Sequence, residues 1–369
     1  MIFLNSNLEK NPQFIRGKGP FLIDRMDNLV FDTWLGSGTL IFGHDDYLKP
    51  FEKMLPNGPE LTTGLIEDLH NCVDFEIAAI GFQTSGSSAV SRAIRLARAS
   101  TKKNTIIVIG SFWHGSENEF LFKNNKSKVS SGLTPNSHTD VAWYPSLTEA
   151  LDQIDFDKTA GILIEPFQGA DPGKHLLENL PFYWRDQLRK NNVLLICDEI
   201  ITGFRERYGS CNISRSADPD IVIFGKAIGG GFPVGAVLLN AKVLRKYDVQ
   251  LPFWGGTFSA SPVQLKAVEI ALNKMKSLDY NFLKENLSAL ITVIEEYTFA
   301  AGLCIKTGCN FARIATQTEV TARSFVKKND HFESLRLKLI DKEGIFVGHN
   351  GLIFPSTYQY TKNSNFQEY

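Results

Sequence analysis

Cysteine is scarce in this chain of 369 residues, with five at Cys72, Cys197, Cys211, Cys304 and Cys309. The count is odd and no CxxC pair occurs. That argues against a disulfide framework and against a zinc knuckle, so no metal site is expected, and it fits the reducing cytoplasm. Charge of one sign is missing too: Lys and Arg number 39 against 40 for Asp and Glu. A strongly basic nucleic-acid surface is therefore not expected, and with little self-repulsion oligomers form easily. Long hydrophobic runs are absent, since no stretch approaches the roughly 18–20 apolar residues that cross a bilayer. The opening Met1-Ile2-Phe3-Leu4-Asn5-Ser6-Asn7 is too short in apolar content for a signal peptide. No internal repeat or low-complexity linker breaks the chain. What remains is an ordinary globular composition, 43% apolar and 21% charged. The length suggests two domains, or one large domain with a lobe.

Short apolar runs alternate with helical periodicity. Residues 105–109, 160–164, 193–197, 221–224 and 234–239 read as strands. Residues 89–98, with arginines interleaved among apolar positions, read as a helix, as do 181–191, 261–276 and 282–297. This alternation predicts an α/β class with a mainly parallel central sheet flanked by helices, plus a smaller α+β unit. The expected division is an N-terminal arm over 1–45, a large domain over 46–265 and a small C-terminal domain over 266–369, to which the arm contributes.

Lys226 is the least ordinary residue. It follows Ile221-Val222-Ile223-Phe224 and precedes Gly229-Gly230-Gly231. A lysine at the end of a buried strand is costly unless it is paired, neutral or covalently used. A second apolar run, Val193-Leu194-Leu195-Ile196-Cys197, ends in Asp198-Glu199. Ligands bind beyond the carboxyl ends of such strands, so an amine and an acid delivered to one sheet edge suggest a cofactor site. Pyridoxal phosphate needs that pair: a lysine for a Schiff base and an acid to keep the ring nitrogen protonated.

Each piece also has a plainer reading. Lys226 reads as a surface lysine in a glycine-rich loop, and Asp198 as a strand-end cap. Ser85-Gly86-Ser87 opens a helix, as a phosphate cradle or as an ordinary N-cap. Trp113, in Phe112-Trp113-His114-Gly115, reads as an aromatic face for a planar ring or as a core aromatic near a turn. His114 alone reads as a structural hydrogen-bonder. Gly255-Gly256-Thr257 is a weak second anion site.

The order of these pieces carries more than any one of them. With Gly43-His44, Ser85-Gly86-Ser87, Trp113-His114-Gly115, Glu165-Pro166, Asp198-Glu199-Ile200, Thr202-Gly203-Phe204-Arg205, Gly225-Lys226 through Ala236 and Gly255-Gly256-Thr257, the chain resembles the class III aminotransferases of the fold-type I pyridoxal-phosphate enzymes. It looks most like their glutamate-1-semialdehyde aminomutase branch, and the likeness fades over the C-terminal quarter. The resemblance implies that Lys226 carries the cofactor and shuttles a proton between the amino-acid Cα and the cofactor. It implies Asp198 on the ring nitrogen, Ile200 and Trp113 on the two ring faces, and Ser85, Gly86 and Ser87 at the phosphate. Thr257 would reach the phosphate of a neighbouring subunit, hence a homodimer. The implied partners are small molecules, an amino donor and a carbonyl acceptor, with no nucleic acid and no membrane.

The chain also departs from that branch. The branch holds its substrate carboxylate with the arginine of an Asn-Ser-Pro-Val-Arg-like segment, whereas Asn7-Leu8-Glu9-Lys10-Asn11 has none and Arg16 is off register. Ala170 replaces the branch's asparagine after Glu-Pro-x-x-Gly, and Ile201 offers no polar alternative. The stretch between Gly115 and Glu165 is shorter than the branch's gating loop. These departures favour an aminotransferase moving an amine from an amino acid to an aldehyde or ketone, with a carbohydrate or other secondary-metabolite precursor as acceptor. The alternatives are the aminomutase itself and a non-catalytic protein on the same scaffold.

Overall fold

The computed structural model describes residues 14–44, 63–121, 133, 140–173, 177, 182–246, 254–316 and 330–360. The arm segment Asn7–Asn11, and residues 122–132 and 134–139 of the stretch compared with the gating loop, lie outside them. In chain order the strands are β1 (Phe14–Lys18), β2 (Phe21–Asp24), β3 (Leu29–Asp32), β4 (Ile77–Gln83), β5 (Thr105–Ile109), β6 (Val141–Tyr144), β7 (Thr159–Ile164), β8 (Leu194–Asp198), β9 (Ile221–Gly225), β10 (Gly235–Asn240), β11 (Leu303–Thr307), β12 (Ala312–Thr316), β13 (Ile345–Phe346) and β14 (Leu352–Ile353). The helices are α1 (Leu35–Gly38), α2 (Thr63–His70), α3 (Gly86–Thr101), α4 (Leu147–Asp152), α5 (Phe182–Lys190), α6 (Asn212–Ser216), α7 (Ala241–Lys246), α8 (Pro262–Lys276), α9 (Tyr280–Ala300) and α10 (Asp330–Glu343).

One sheet has the order β4-β10-β9-β8-β7-β5-β6. From β9 to β6 every neighbouring pair is parallel, while β10 pairs antiparallel with both β9 and β4. So β10 alone runs against the rest, and the carboxyl ends of β4, β5, β7, β8 and β9 share one edge. Parallel strands need both faces covered. Leu194, Ile196, Ile221 and Ile223 meet Val90, Ile94 and Ala97 of α3 on one face. Leu195, Cys197, Val222 and Phe224 meet Leu188, Leu265, Val268 and Leu272 on the other. The α/β class with a mainly parallel sheet is what the alternation predicts.

Two smaller sheets, β1-β2-β3-β13 and β11-β12-β14, hold the rest. β13 pairs parallel with β3, and the Thr33 hydroxyl donates to the Phe346 carbonyl at 2.7 Å. The N-terminal strands and the C-terminal third thus share one sheet. The expected boundary at 265/266 cuts through α8, whose Leu265, Val268, Ala271, Leu272 and Met275 are buried in the core of the large sheet. We propose that the large domain continues through Lys276, with the break at the turn before Tyr280.

The loop after β8 returns through Gly209, which has φ 81° and whose missing Cβ would overlap the Cys72 backbone. Its carbonyl accepts from Phe204 N at 2.8 Å, and Ser210 N donates to Cys72 O at 2.8 Å. Backbone cannot move aside as a side-chain tip can. Gly209→Ala is therefore expected to lower stability by about 2–3 kcal/mol, read as a lower urea midpoint with an unchanged slope.

Candidate active site

The shared carboxyl edge gathers the chemically active side chains. β9 ends at Gly225, and Lys226 leaves the strand with φ 48°. This left-handed backbone costs a non-glycine residue of order 1 kcal/mol, so its surroundings must impose it. One 3-10 turn, Lys226–Gly229, follows and closes on Gly230 at φ 55°. Among the described residues the Lys226 amine meets no hydrogen-bond acceptor. Burial pushes its pKa down from 10.5 to about 8, against the opposing pull of the Asp198 and Glu165 charges. An amine with that pKa is still mostly protonated near physiological pH but keeps a far larger neutral, nucleophilic fraction than an ordinary lysine.

Asp198 ends β8 and is 2% exposed. Its Oδ2 lies 2.8 Å from Nδ1 of fully buried His114, and its Oδ1 accepts from Ile200 N at 3.1 Å. The His114 ring stacks on Phe112 at 5.0 Å. His114 thus takes the hydrogen-bonding role read for it. Glu165 follows β7, and its carboxylate accepts from Trp113 N at 2.9 Å and from Gly169 N at 3.3 Å. Burial first, and the Asp198 charge second, push the Glu165 carboxyl well up from its ordinary range, against those two N–H donors. Glu199 faces away: its carboxylate accepts from the Thr202 hydroxyl at 2.6 Å and from Cys211 N at 3.1 Å, holding the next turn.

The first turn of α3 faces the same edge. Ser85 caps the helix through a reciprocal exchange with Ser88. The N–H groups of Gly86 and Ser87 have no partner inside the helix, a ready anion site. The Ser87 hydroxyl accepts from Ser116 N at 3.2 Å, which ties this turn to the Trp113–Gly115 loop. Ile200 reaches between strands: a Cβ on Gly86 would meet its Cδ1 at 2.7 Å, and one on Gly225 would meet its Cγ1 at 3.2 Å. Ser85, Gly86, Ser87, Trp113, Asp198, Ile200 and Lys226 are therefore brought to one edge. Thr257 is not tied to them. It lies exposed on the turn before α8, and no hydrogen bond links it to the Lys226 site among the described residues. Gly255 in the same loop accepts from Arg92 of α3 at 3.2 Å.

Sequence reasoning missed two buried arginine placements. Arg205, with no exposure, donates to the Gly38 and Ile201 carbonyls and stacks on Phe354 at 4.7 Å. Arg313 on β12, 5% exposed, donates to the Ala170 carbonyl at 2.9 Å and the Gly169 carbonyl at 3.4 Å. Arg313 lies in the C-terminal region where the family pattern fades, so only the fold reveals its position. Arg16 pairs with exposed Asp27 at 2.7 Å on the surface.

This donor set fits pyridoxal phosphate: an anion-binding helix start, a carboxylate held by a histidine, and an amine with no competing partner. A lysine placed there without a use would be a cost. The pH dependence follows. Attachment of pyridoxal phosphate to the cofactor-free protein needs the neutral amine, so its rate is expected to rise with pH and level off above about 8. A rate still climbing through pH 10, as for an ordinary lysine, would contradict this; stopped-flow absorbance reads it.

Comparison with known proteins places the whole chain. The family model described as "Aminotransferase class-III" matches residues 57–297. A glutamate-1-semialdehyde 2,1-aminomutase of Francisella philomiragia is 33% identical, with 94% of this chain and 85% of that protein covered. Its counterpart in Thermoplasma volcanium is 30% identical over 76% of this chain and 71% of that one. In fold the chain is similar to an omega-transaminase of Sphaerobacter thermophilus, with TM-score 0.76, 24% identity and coverage of 95% and 87%. It is also similar to a glutamate-1-semialdehyde aminomutase of Pseudomonas aeruginosa crystallised with PMP, with TM-score 0.77, 19% identity and coverage of 93% and 83%. The chain belongs to the class III aminotransferase family, as a pyridoxal-phosphate-dependent enzyme of the aminotransferase or aminomutase type.

Proposed function

We propose that this enzyme moves an amino group from an amino-acid donor to a separate aldehyde or ketone acceptor, with Lys226 as covalent anchor and proton carrier. The observation that carries the reading is the desolvated Lys226 amine, free of hydrogen bonds among the described residues, at the edge that also holds Asp198 and Glu165. Bound pyridoxal phosphate supplies an electron-withdrawing ring that steadies negative charge at the donor's Cα. Lys226 Nζ takes the proton from that Cα and later returns it, as general base and then general acid. The Asp198 carboxylate holds a proton on the ring nitrogen, and His114 fixes the carboxylate's orientation. The Gly86 and Ser87 amides and the Ser87 hydroxyl bind the phosphate. Ile200 and Trp113 would hold the two faces of the ring, and Glu165 fixes the Trp113 backbone.

Two observations favour a separate acceptor over the intramolecular reaction: Arg16 is engaged at the surface, and Ala170 and Ile201 present no polar side chain. The identity to named aminomutases favours the second reading, glutamate-1-semialdehyde 2,1-aminomutase. Incubation with glutamate separates them. The first reading expects 2-oxoglutarate and the pyridoxamine form of the cofactor, and glutamate-1-semialdehyde left unconverted. Rapid conversion of glutamate-1-semialdehyde to 5-aminolevulinate, with no half-reaction from any amino acid, would overturn it.

Thr257, exposed in one chain, completes the phosphate site of a second copy in this reading. Sedimentation is expected to give about twice the 41.3 kDa chain mass. Thr257→Ala is expected to weaken phosphate retention by about tenfold, the value of one such hydrogen bond. A fully active monomer would contradict this. A reducing compartment such as the cytoplasm belongs to the same proposal, and all five cysteines are free thiols.

A further inference from the structure

We propose that Cys211 and Cys309 form a redox switch: hydrogen peroxide joins them in a disulfide that ties the C-terminal third to the loop after β8 and lowers activity, and a small dithiol reverses it. The thiol chemistry is independent of which amine acceptor the enzyme uses.

The two sulfurs come from different parts of the fold. Cys211 precedes α6 in the loop that leaves Asp198, and Cys309 sits in the turn between β11 and β12. Both are buried in one apolar cluster with Ile201, Phe311 and Phe354. There the Cys211 thiol is hydrogen-bonded to that of Cys309. Both also lean on the turn after Asp198. Cys211 Sγ donates to Glu199 Oε1 at 3.6 Å, and Cys309 Sγ reaches the Thr202 carbonyl at 4.0 Å and Glu206 Oε2 at 3.9 Å. The other three cysteines are engaged elsewhere. Cys72 donates to the Asp68 carbonyl at 3.2 Å, Cys304 to the Ala315 carbonyl at 3.6 Å, and Cys197 lies inside β8.

Each thiol of the pair thus has a sulfur partner and a carboxylate to take its proton. Cys309 is 6% exposed against 1% for Cys211, so a small oxidant reaches it first. The Cys309 contact first, and burial second, keep the Cys211 thiol protonated well above the usual thiol range, which suits it to the later step. The Cys309 sulfur, its proton passing to Glu206, attacks one oxygen of the peroxide. The O–O bond breaks, and a sulfenic acid and one water form. The Cys211 sulfur, its proton passing to Glu199, then displaces the sulfenic oxygen as a second water. The two sulfurs lose two electrons, the peroxide gains them, and both thiol protons leave in the waters. A dithiol restores the pair by exchange.

Closure draws the sulfurs from non-bonded contact to a bond of about 2.05 Å. The pull falls on the loop that supports the cofactor edge. Cys211 N donates to the Glu199 carboxylate at 3.1 Å, and Glu199 stands between Asp198 and Ile200. Across the gap, Asn310 Nδ2 donates to the Arg205 carbonyl at 2.7 Å, further along the same loop. A shift of about 1 Å in groups that orient a reaction costs up to about 100-fold in rate.

The test treats the holoenzyme with hydrogen peroxide and compares it with Cys211→Ser, Cys309→Ser and, as a control, Cys304→Ser. Peptide mass mapping without reduction is expected to find Cys211 joined to Cys309. Turnover is expected to drop at least about tenfold, the visible circular dichroism of the bound cofactor to change with it, and both to return with dithiothreitol. Cys304→Ser is expected to respond as the wild type does. Cys211→Ser and Cys309→Ser are expected to show no change that dithiothreitol reverses. No joined pair at peroxide concentrations that oxidise Cys304, or a joined pair with turnover and dichroism unchanged, would overturn the proposal. The wild-type mapping decides even where a variant does not fold. A wild type that processes no donor sinks the transamination reading, while mapping and dichroism still decide the switch.

Discussion

Lys226→Ala is expected to lower transamination by roughly 10⁴-fold, the upper range for loss of a positioned general base, while the protein still folds. Folding is expected to survive because the wild-type amine is a desolvated group with no hydrogen bond among the described residues. Removing it relieves that cost. Alanine is also compatible with the 3-10 turn that follows, and Ala227 already occupies the next position. The rate falls because no neighbour replaces the base. Asp198 is committed to His114 and Ile200 N, and Glu165 to two backbone N–H groups. Added methylamine, small enough for the vacated volume, should restore part of the rate. A variant retaining more than about a tenth of wild-type turnover would place the general base elsewhere.

The second large effect is expected from Asp198→Asn, a loss of about 10²–10³-fold in the half-reaction with cofactor content and KM little changed. Asparagine keeps the shape. Its carbonyl accepts from Ile200 N as Oδ1 does, and its amide faces Nδ1 of His114 in the tautomer that accepts. What it would lose, in the role proposed for Asp198, is the negative charge that would keep a proton on the ring nitrogen, the feature that makes the ring draw electrons. The fold should therefore be intact and the chemistry slow. A loss confined to KM would instead mean that Asp198 serves binding alone. Asp198→Ala adds a cavity beside His114 and would mix stability with chemistry, so asparagine is the informative change.

Much of this edge was legible in the residues. β5 spans the 105–109 stretch expected, and β9 extends the expected 221–224 run by Gly225. Buried parallel strands are continuous apolar runs, so composition alone marks them. Lys226 and Asp198 stood out because charged groups interrupt those runs. Strand direction was not legible: 234–239 reads as one more strand, and only its pairing shows that β10 runs against its neighbours. The N-terminal sheet was hidden for another reason. β13 is two residues long and is completed by β3 more than three hundred positions away, and no local period encodes such a partner. Arg313 was hidden because an arginine on a five-residue strand reads as solvent-facing until the fold turns that face toward Gly169 and Ala170. The expected 265/266 boundary falls inside α8 because the helix's apolar face does not say which body it packs against.

The central claim is that Lys226 is the covalent anchor of pyridoxal phosphate, and borohydride reduction tests it most directly. Reduction of the holoenzyme, proteolysis and mass spectrometry should locate the phosphopyridoxyl group on the peptide carrying Lys226. The same treatment of Lys226→Ala loaded with cofactor should leave no labelled peptide. A label on another lysine of the wild type, or a reducible bond retained by the variant, would contradict the account.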